Sequence, residues 1–307
     1  MDVIQRRYRT EDDFWCIRTF LRQALLLNEL REHSWHVARW DYWRWQGVEN
    51  LAQGKLEECV FLWETQAGEI AAVLNPEERG QAFLQVHPGY RTPELERQML
   101  DLAEQRLFVE RNGKRRLSVW AHADDLLRRE ELLRRGYTPQ GETEYQRRQA
   151  LGSLHPFTPL AAGYSLRALG DEAELPARSW ASWRAFHPDA PVSEYDGWEW
   201  YRNLQRAPLY RRDLDLVAVA PAGEIAGFCT LWFDDVTRSA YFEPVGVVPE
   251  HQRGGLGKAL MLEGLRRLQR LGAVIAFVGS YEPVAHALYA SAGFTDYDLF
   301  ELWGKSL

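Results

Sequence analysis

Cysteine is scarce in this sequence. The 307 residues hold three, Cys16, Cys59 and Cys229, with no CxxC pair among them. That spacing excludes a disulfide framework, and no histidine cluster at ligand spacing points to a metal, so none is expected. Long apolar runs are also missing: no stretch is long enough to span a bilayer, and the segment Met1–Arg7 lacks the apolar core of a signal peptide. A cytoplasmic protein with no membrane partner is expected. A basic excess is absent as well. Lysine and arginine total 37 against 44 acidic residues, a net charge of −7. Nucleic acid is therefore not expected as a partner. An acidic chain instead favours a cationic acceptor by electrostatic steering.

What is present fits a globular chain with room for two domains, 46% hydrophobic and 26% charged. Tryptophan stands out at 13 residues, with clusters in Phe14–Trp63 and Trp180–Trp200. Core packing is the first reading of these rings. The lining of a ligand cleft is the second.

Pro156 and Pro159 interrupt any periodicity after Ala150, so residues 151–163 read as a linker between domains at 1–150 and 164–307. Past the linker, a short strand (Tyr164–Leu169) precedes helices at 171–186 and 193–205. Strands are predicted at Asp213–Ala220, Ile225–Phe233 and Tyr241–Val248. A helix from Leu256 carries Leu260, Gly264, Leu265, Leu268 and Leu271 at close to a 3.6-residue period and stops at Gly272. A buried strand (Val274–Val278), a helix (Val284–Ala292) and a closing hairpin (Phe294–Gly304) complete the half. Residues 1–150 give nearly the same order, which reads as an internal duplication.

The chemistry concentrates in Val247-Val248-Pro249-Glu250-His251-Gln252-Arg253-Gly254-Gly255-Leu256-Gly257-Lys258. An apolar strand runs into a glycine-rich loop that opens an amphipathic helix. Glycine allows a tight turn and close approach to a ligand. Successive N–H groups then point into one concavity, and the helix N-terminus adds unpaired donors and positive partial charge. A pyrophosphate fits such a place, with Arg253 and Lys258 at its rim. The spacing does not match the dinucleotide-binding or Walker glycine patterns.

Gln252-Arg253-Gly254-Gly255-Leu256-Gly257 resembles the Q/R-x-x-G-x-G/A signature of the GNAT acetyltransferase family. Val247 and Pro249 match its V-x-P approach, and Ala285-His286-Ala287-Leu288-Tyr289-Ala290-Ser291-Ala292-Gly293-Phe294 matches its A-x-x-L-Y-x-x-x-G-F helix. The resemblance implies an α/β (α+β) fold of two tandem GNAT-like domains, each a mixed, mostly antiparallel twisted sheet flanked by helices. It also implies acetyl-CoA held by Val247, Val248, Gln252, Arg253, Gly254, Gly255, Leu256, Gly257 and Lys258. Glu282, which stands where the family often has asparagine, is counted with these cofactor-binding residues. Pro244 falls where GNAT strands splay to admit pantetheine.

By family position Tyr289 is the general acid. Glu243, on the strand before the loop and in register with Val247, is the leading base, with His187 and His286 behind it. In the first half, the register from Pro88 places Glu94 and Glu96 where the second half has Gly255 and Gly257, and Leu132 stands in place of Tyr289. Residues 1–150 therefore read as a degenerate copy without a working CoA loop. The expected activity is transfer of an acyl group, acetyl by the resemblance, from acetyl-CoA to a primary amine of a small molecule by direct attack. The segment Trp180–Tyr201, with Asp189 and Glu194, is expected at the acceptor cleft. An acyl-CoA sensor with little turnover and a protein or peptide N-acetyltransferase remain open, as does a homodimer.

Overall fold

The computed structural model describes residues 3–52, 54–152 and 160–307. It divides into two compact units: Met1–Gln146 with Asp298–Leu307, and Arg147–Tyr297. Most of the predicted linker, 153–159, lies outside the described residues.

The first unit contains β1 (Val3–Arg7), α1 (Glu11–Leu27), α2 (Val37–Tyr42), the short α3 (Leu56–Cys59), β2 (Phe61–Thr65), β3 (Ile70–Asn75) and β4 (Gln81–Val86). After them come α4 (Pro93–Arg106), β5 (Val109–Arg111), β6 (Lys114–His122), α5 (Leu126–Arg134) and most of β7 (Thr138–Ala150). β1 to β4 form an antiparallel meander, and β4 pairs in parallel with β6. The tryptophan cluster is mainly core: Trp35, Trp40, Trp43, Trp45 and Trp63 are buried, whereas Trp15 is 47% exposed.

One carboxyl in this unit sets a pH dependence. Glu32 is buried. Its Oε1 accepts the His36 N–H at 3.1 Å, and its Oε2 has no partner among the described residues. Burial pushes its pKa up to about 8, with Arg39 opposing and Glu144 reinforcing the shift. A carboxyl raised in the folded state favours folding in its protonated form. That contribution is complete below the unfolded value of 4.5 and is lost as pH rises through about 8. Denaturant titrations at pH 5 and 8.5 are expected to show wild type losing more stability than Glu32→Gln, by an amount on the order of a few kcal/mol. Equal losses would refute this.

The second unit contains β8 (Ser165–Ala168), α6 (Leu175–Phe186), α7 (Glu199–Leu204), β9 (Asp215–Val219), β10 (Ile225–Asp234) and β11 (Ser239–Val247). The chain continues through α8 (Leu256–Arg270), β12 (Ile275–Ser280) and α9 (Pro283–Ser291) into β13 (Asp296–Ser306). β8 to β11 repeat the antiparallel meander, and β12 joins β11 in parallel. The periodic face of α8 (Leu256, Leu260, Leu265, Leu268) packs with Leu216, Leu231 and Phe242 into the core. Gly264 sits where that packing is tightest: a Cβ there would lie 2.7 Å from Leu231 Cδ2.

Three expectations need correction. The tail forms no hairpin; β13 is one strand, and from Phe300 to Ser306 it pairs antiparallel with β6 in the first unit. The division between the units falls after Gln146, not after residue 150, and Leu151 donates its N–H to Val274 O in the second unit. The predicted helix at 193–205 is reduced to α7, preceded by a 3-10 turn at Val192–Glu194.

Candidate active site

β11 and β12 run together for three pairs, Ser239↔Ile275, Ala240↔Ala276 and Tyr241↔Phe277, and their ladder ends there. Beyond that point β11 turns wholly to β10. The register on that side jumps from Leu231↔Phe242 to Cys229↔Val245, so Glu243 and Pro244 together oppose the single residue Thr230. Proline has no N–H to give a ladder, and a bulge bends the strand that carries it. The splay expected at Pro244 is thus present, and it opens a slot between the two strands.

The glycine-rich loop follows at the end of β11. Pro249–His251 makes a 3-10 turn, and Gln252 Nε2 reaches back to Val247 O at 3.0 Å. Arg253 and Gly255 both take positive φ, 61° and 80°, and Gly255 caps α8 without a side-chain hydrogen bond. The N–H groups of residues 253–258 find no acceptor among the described residues. Alternating backbone hand with unbonded donors is the geometry of an anion cradle. Gly257 serves a different end: a Cβ there would sit 3.2 Å from both Leu288 methyls, so its absence lets α9 approach α8. Arg253 is exposed and Lys258 half-buried, and neither has an ion-pair partner among the described residues. Val247 and Val248 are half-buried at the edge of the slot, and the Val248 N–H is spent on Ala226 O. The residues present fit a pyrophosphate.

The matching helix start in the first unit is built differently. Thr92 Oγ1 caps α4 by accepting the Leu95 N–H at 3.1 Å. Glu96, fully buried, is gripped by Arg91 at 2.8 Å and Arg128 at 3.0 Å. Glu96 stands at the register position of Gly257 and is held against Arg128 of α5. Glu94 is exposed and bonded to Arg97 and Gln98.

Tyr289 is 8% exposed on α9 and has no hydrogen-bond partner among the described residues. Burial is the main cause that raises its pKa above the ordinary phenol value. The Glu243 carboxylate raises it further, which places the two within electrostatic reach. Cys229, also buried beside them, has its thiol pKa raised by burial and stays a neutral thiol, unsuited to act as a nucleophile. Sequence reasoning did not single it out. Glu282 is exposed at the N-cap of α9 and makes no cap bond, a position where helix polarity favours a carboxylate. His286 is bonded to Ser280 Oγ at 2.8 Å, and His187 stacks on Trp183.

On the α6 side, Trp180 and Trp183 stack at 5.2 Å, Tyr195 meets Trp180 edge-on, and Phe186 packs against Phe228 of β10. Trp180 and Phe186 remain 37% and 51% exposed. Asp189 and Glu194 are exposed and unpaired among the described residues. Arg184 of α6 pairs with Glu250 at 2.7 Å, which ties that helix to the turn before the cradle. Elsewhere the fold gathers His122, Asp124 and Asp298, a group invisible in sequence spacing. Arg31 already lies on both carboxylates, and His122 Nδ1 accepts the Asp124 N–H.

The model of the acetyltransferase (GNAT) family matches residues 175–294. A mycothiol acetyltransferase of Paenarthrobacter aurescens is 31% identical over 261 residues, covering 78% of this chain and 75% of its own. The chain belongs to the GNAT acetyltransferase family. A mycothiol acetyltransferase of Kineococcus radiotolerans is 30% identical over 238 residues, 75% of this chain and 74% of its own. Among solved structures, a tandem GNAT protein from the clavulanic acid biosynthesis pathway has a TM-score of 0.68 at 17% identity and covers 99% of this chain and 98% of its own. A GCN5-related N-acetyltransferase from Sphaerobacter thermophilus has a TM-score of 0.68 at 18% identity, with 99% and 95% covered. These two likenesses show the tandem fold. The enzyme is an acetyl-CoA-dependent acetyltransferase, and among its described residues no helix is long and apolar enough to cross a membrane.

Proposed function

We propose that this enzyme acetylates the primary amine of a small molecule by direct attack in the second unit. The observation that carries the reading is one slot with an anion cradle at its mouth and Tyr289 and Glu243 within electrostatic reach of each other. Acetyl-CoA supplies the thioester. Residues 252–258 hold its pyrophosphate, with Val247 and Val248 along the slot. Glu243 takes a proton from the amine as nitrogen bonds to the acetyl carbon, and Tyr289 gives one to the departing sulfur. In the first unit the matching helix start lacks the glycines, and Thr92 Oγ1 takes the Leu95 N–H; we read that unit as without this activity. Mycothiol acetyltransferases among the relatives favour the amine precursor of mycothiol as acceptor, and the exposed rings of Trp180 and Phe186 offer a surface for it.

The test is release of free thiol from acetyl-CoA across a panel containing that precursor, other small primary amines, and peptides with free N-termini or lysines. Turnover with small amines is expected. Turnover with peptides alone, or acetyl-CoA binding without turnover, would refute the proposal.

A further inference from the structure

Opposite the bulge lies a buried polar network that the chemistry above does not use. Arg178 of α6 is fully buried, its guanidinium 3.9 Å from the Phe228 ring centroid and 4.6 Å from that of Tyr201. Its Nη2 donates to Thr230 Oγ1 at 3.1 Å, and its Nε lies 3.6 Å from Asp215 Oδ1. Thr230 in turn donates to Asp215 Oδ1 at 3.1 Å. The other carboxylate oxygen accepts the hydroxyls of Tyr201 at 2.5 Å and Tyr210 at 2.9 Å. Arg178 Nε and Nη1 have no hydrogen-bond partner among the described residues. A charge pair this deep is a costly way to gain stability, because desolvation offsets most of the attraction. The fixed geometry it imposes is the more telling property.

That geometry ends on one residue. Thr230 is the single β10 position facing Glu243 and Pro244, and its hydroxyl accepts from Arg178 and donates to Asp215, with the Tyr201 hydroxyl 3.5 Å away. We propose that Arg178, Asp215 and Thr230 are positioning residues for acetyl transfer: they lock β10 opposite the bulge and so set where β11 presents Glu243. Trp232 Nε1, two residues along β10, donates to the Glu243 carbonyl at 2.5 Å and holds the same peptide. The proposal rests on Glu243 as the base. The cradle lies past the far end of β11 and does not depend on the network.

Thr230→Val keeps the shape and removes both bonds. A misplacement of about 1 Å at a reacting group costs roughly 100-fold in rate. Thr230→Val is therefore expected to lower kcat by about 10- to 100-fold, with KM for acetyl-CoA within about twofold of wild type. Thr230→Ser should restore most of the rate. The same change is then made in a Glu243→Gln background. If Thr230 acts through Glu243, it costs less than about threefold there, because the group it positions is gone. A wild-type kcat for Thr230→Val, or an equal loss in both backgrounds, overturns the proposal. Failure of the base reading is seen separately, as a Glu243→Gln enzyme with undiminished kcat. Should Thr230→Val not fold, Tyr210→Phe loosens the same carboxylate without touching the strand, and the same split between kcat and KM is required of it.

Discussion

Gly255→Glu is expected to abolish acetyl-CoA binding, raising Kd at least about 100-fold. Two effects add. The residue holds φ at 80°, a conformation that costs an L-residue about 1 kcal/mol. The larger effect is charge. A carboxylate at the cap of α8 lies against the place where a pyrophosphate docks, and like charges at about 4 Å repel by roughly 4 kcal/mol near a protein surface. A Cβ at Gly255 meets nothing within 4 Å, so the helix itself should fold normally. The matching change in the first unit, Glu94→Ala, is expected to leave binding untouched, because Glu94 is exposed while Glu96 stays clamped between Arg91 and Arg128. Calorimetry should give one acetyl-CoA per chain for wild type and none for Gly255→Glu. Two per chain, or near-normal affinity in that variant, would refute the assignment of the loop.

Tyr289→Phe is expected to lower kcat by about 10- to 1000-fold, the span associated with loss of a general acid, with little change in acetyl-CoA affinity. The ring is packed in the core cluster while its hydroxyl bonds no described residue, so removing the oxygen should leave the fold intact. The raised pKa keeps the phenol protonated throughout the neutral range, so activity should not fall there through Tyr289 ionisation. The check is a single-turnover rate, which isolates chemistry from product release. A single-turnover rate equal to wild type would remove Tyr289 from the mechanism.

The parts of the site that were legible in the sequence are those encoded over a few residues. Glycines at 254, 255 and 257 after an apolar strand specify a turn and a helix start whatever surrounds them, and Pro244 marks the departure from regular pairing. What stayed hidden depends on pairing between distant segments. Arg178 reads as an ordinary helical arginine until the fold sets Asp215 and Thr230 beside it. The bulge adds a residue between Phe242 and Val245, so counting by twos from Val247 gives no safe orientation for Glu243. The substitution of glycine by glutamate in the first half was visible, but not that the buried Glu96 would find two arginines.

The pairing of β13 with β6 bears on how the protein is made. A nascent chain emerges from its N-terminus, and the first unit has almost all its residues early. Yet Phe300–Ser306 are the partners of His122–Arg116. Until they are synthesised, β6 presents an open row of N–H and C=O groups while the second half is still being translated, an invitation to mispair with another chain. A protein cut within 153–159 would leave the first piece without that strand for good. Rescue by supplying the second piece in trans, rather than folding of the first alone, is what this arrangement demands.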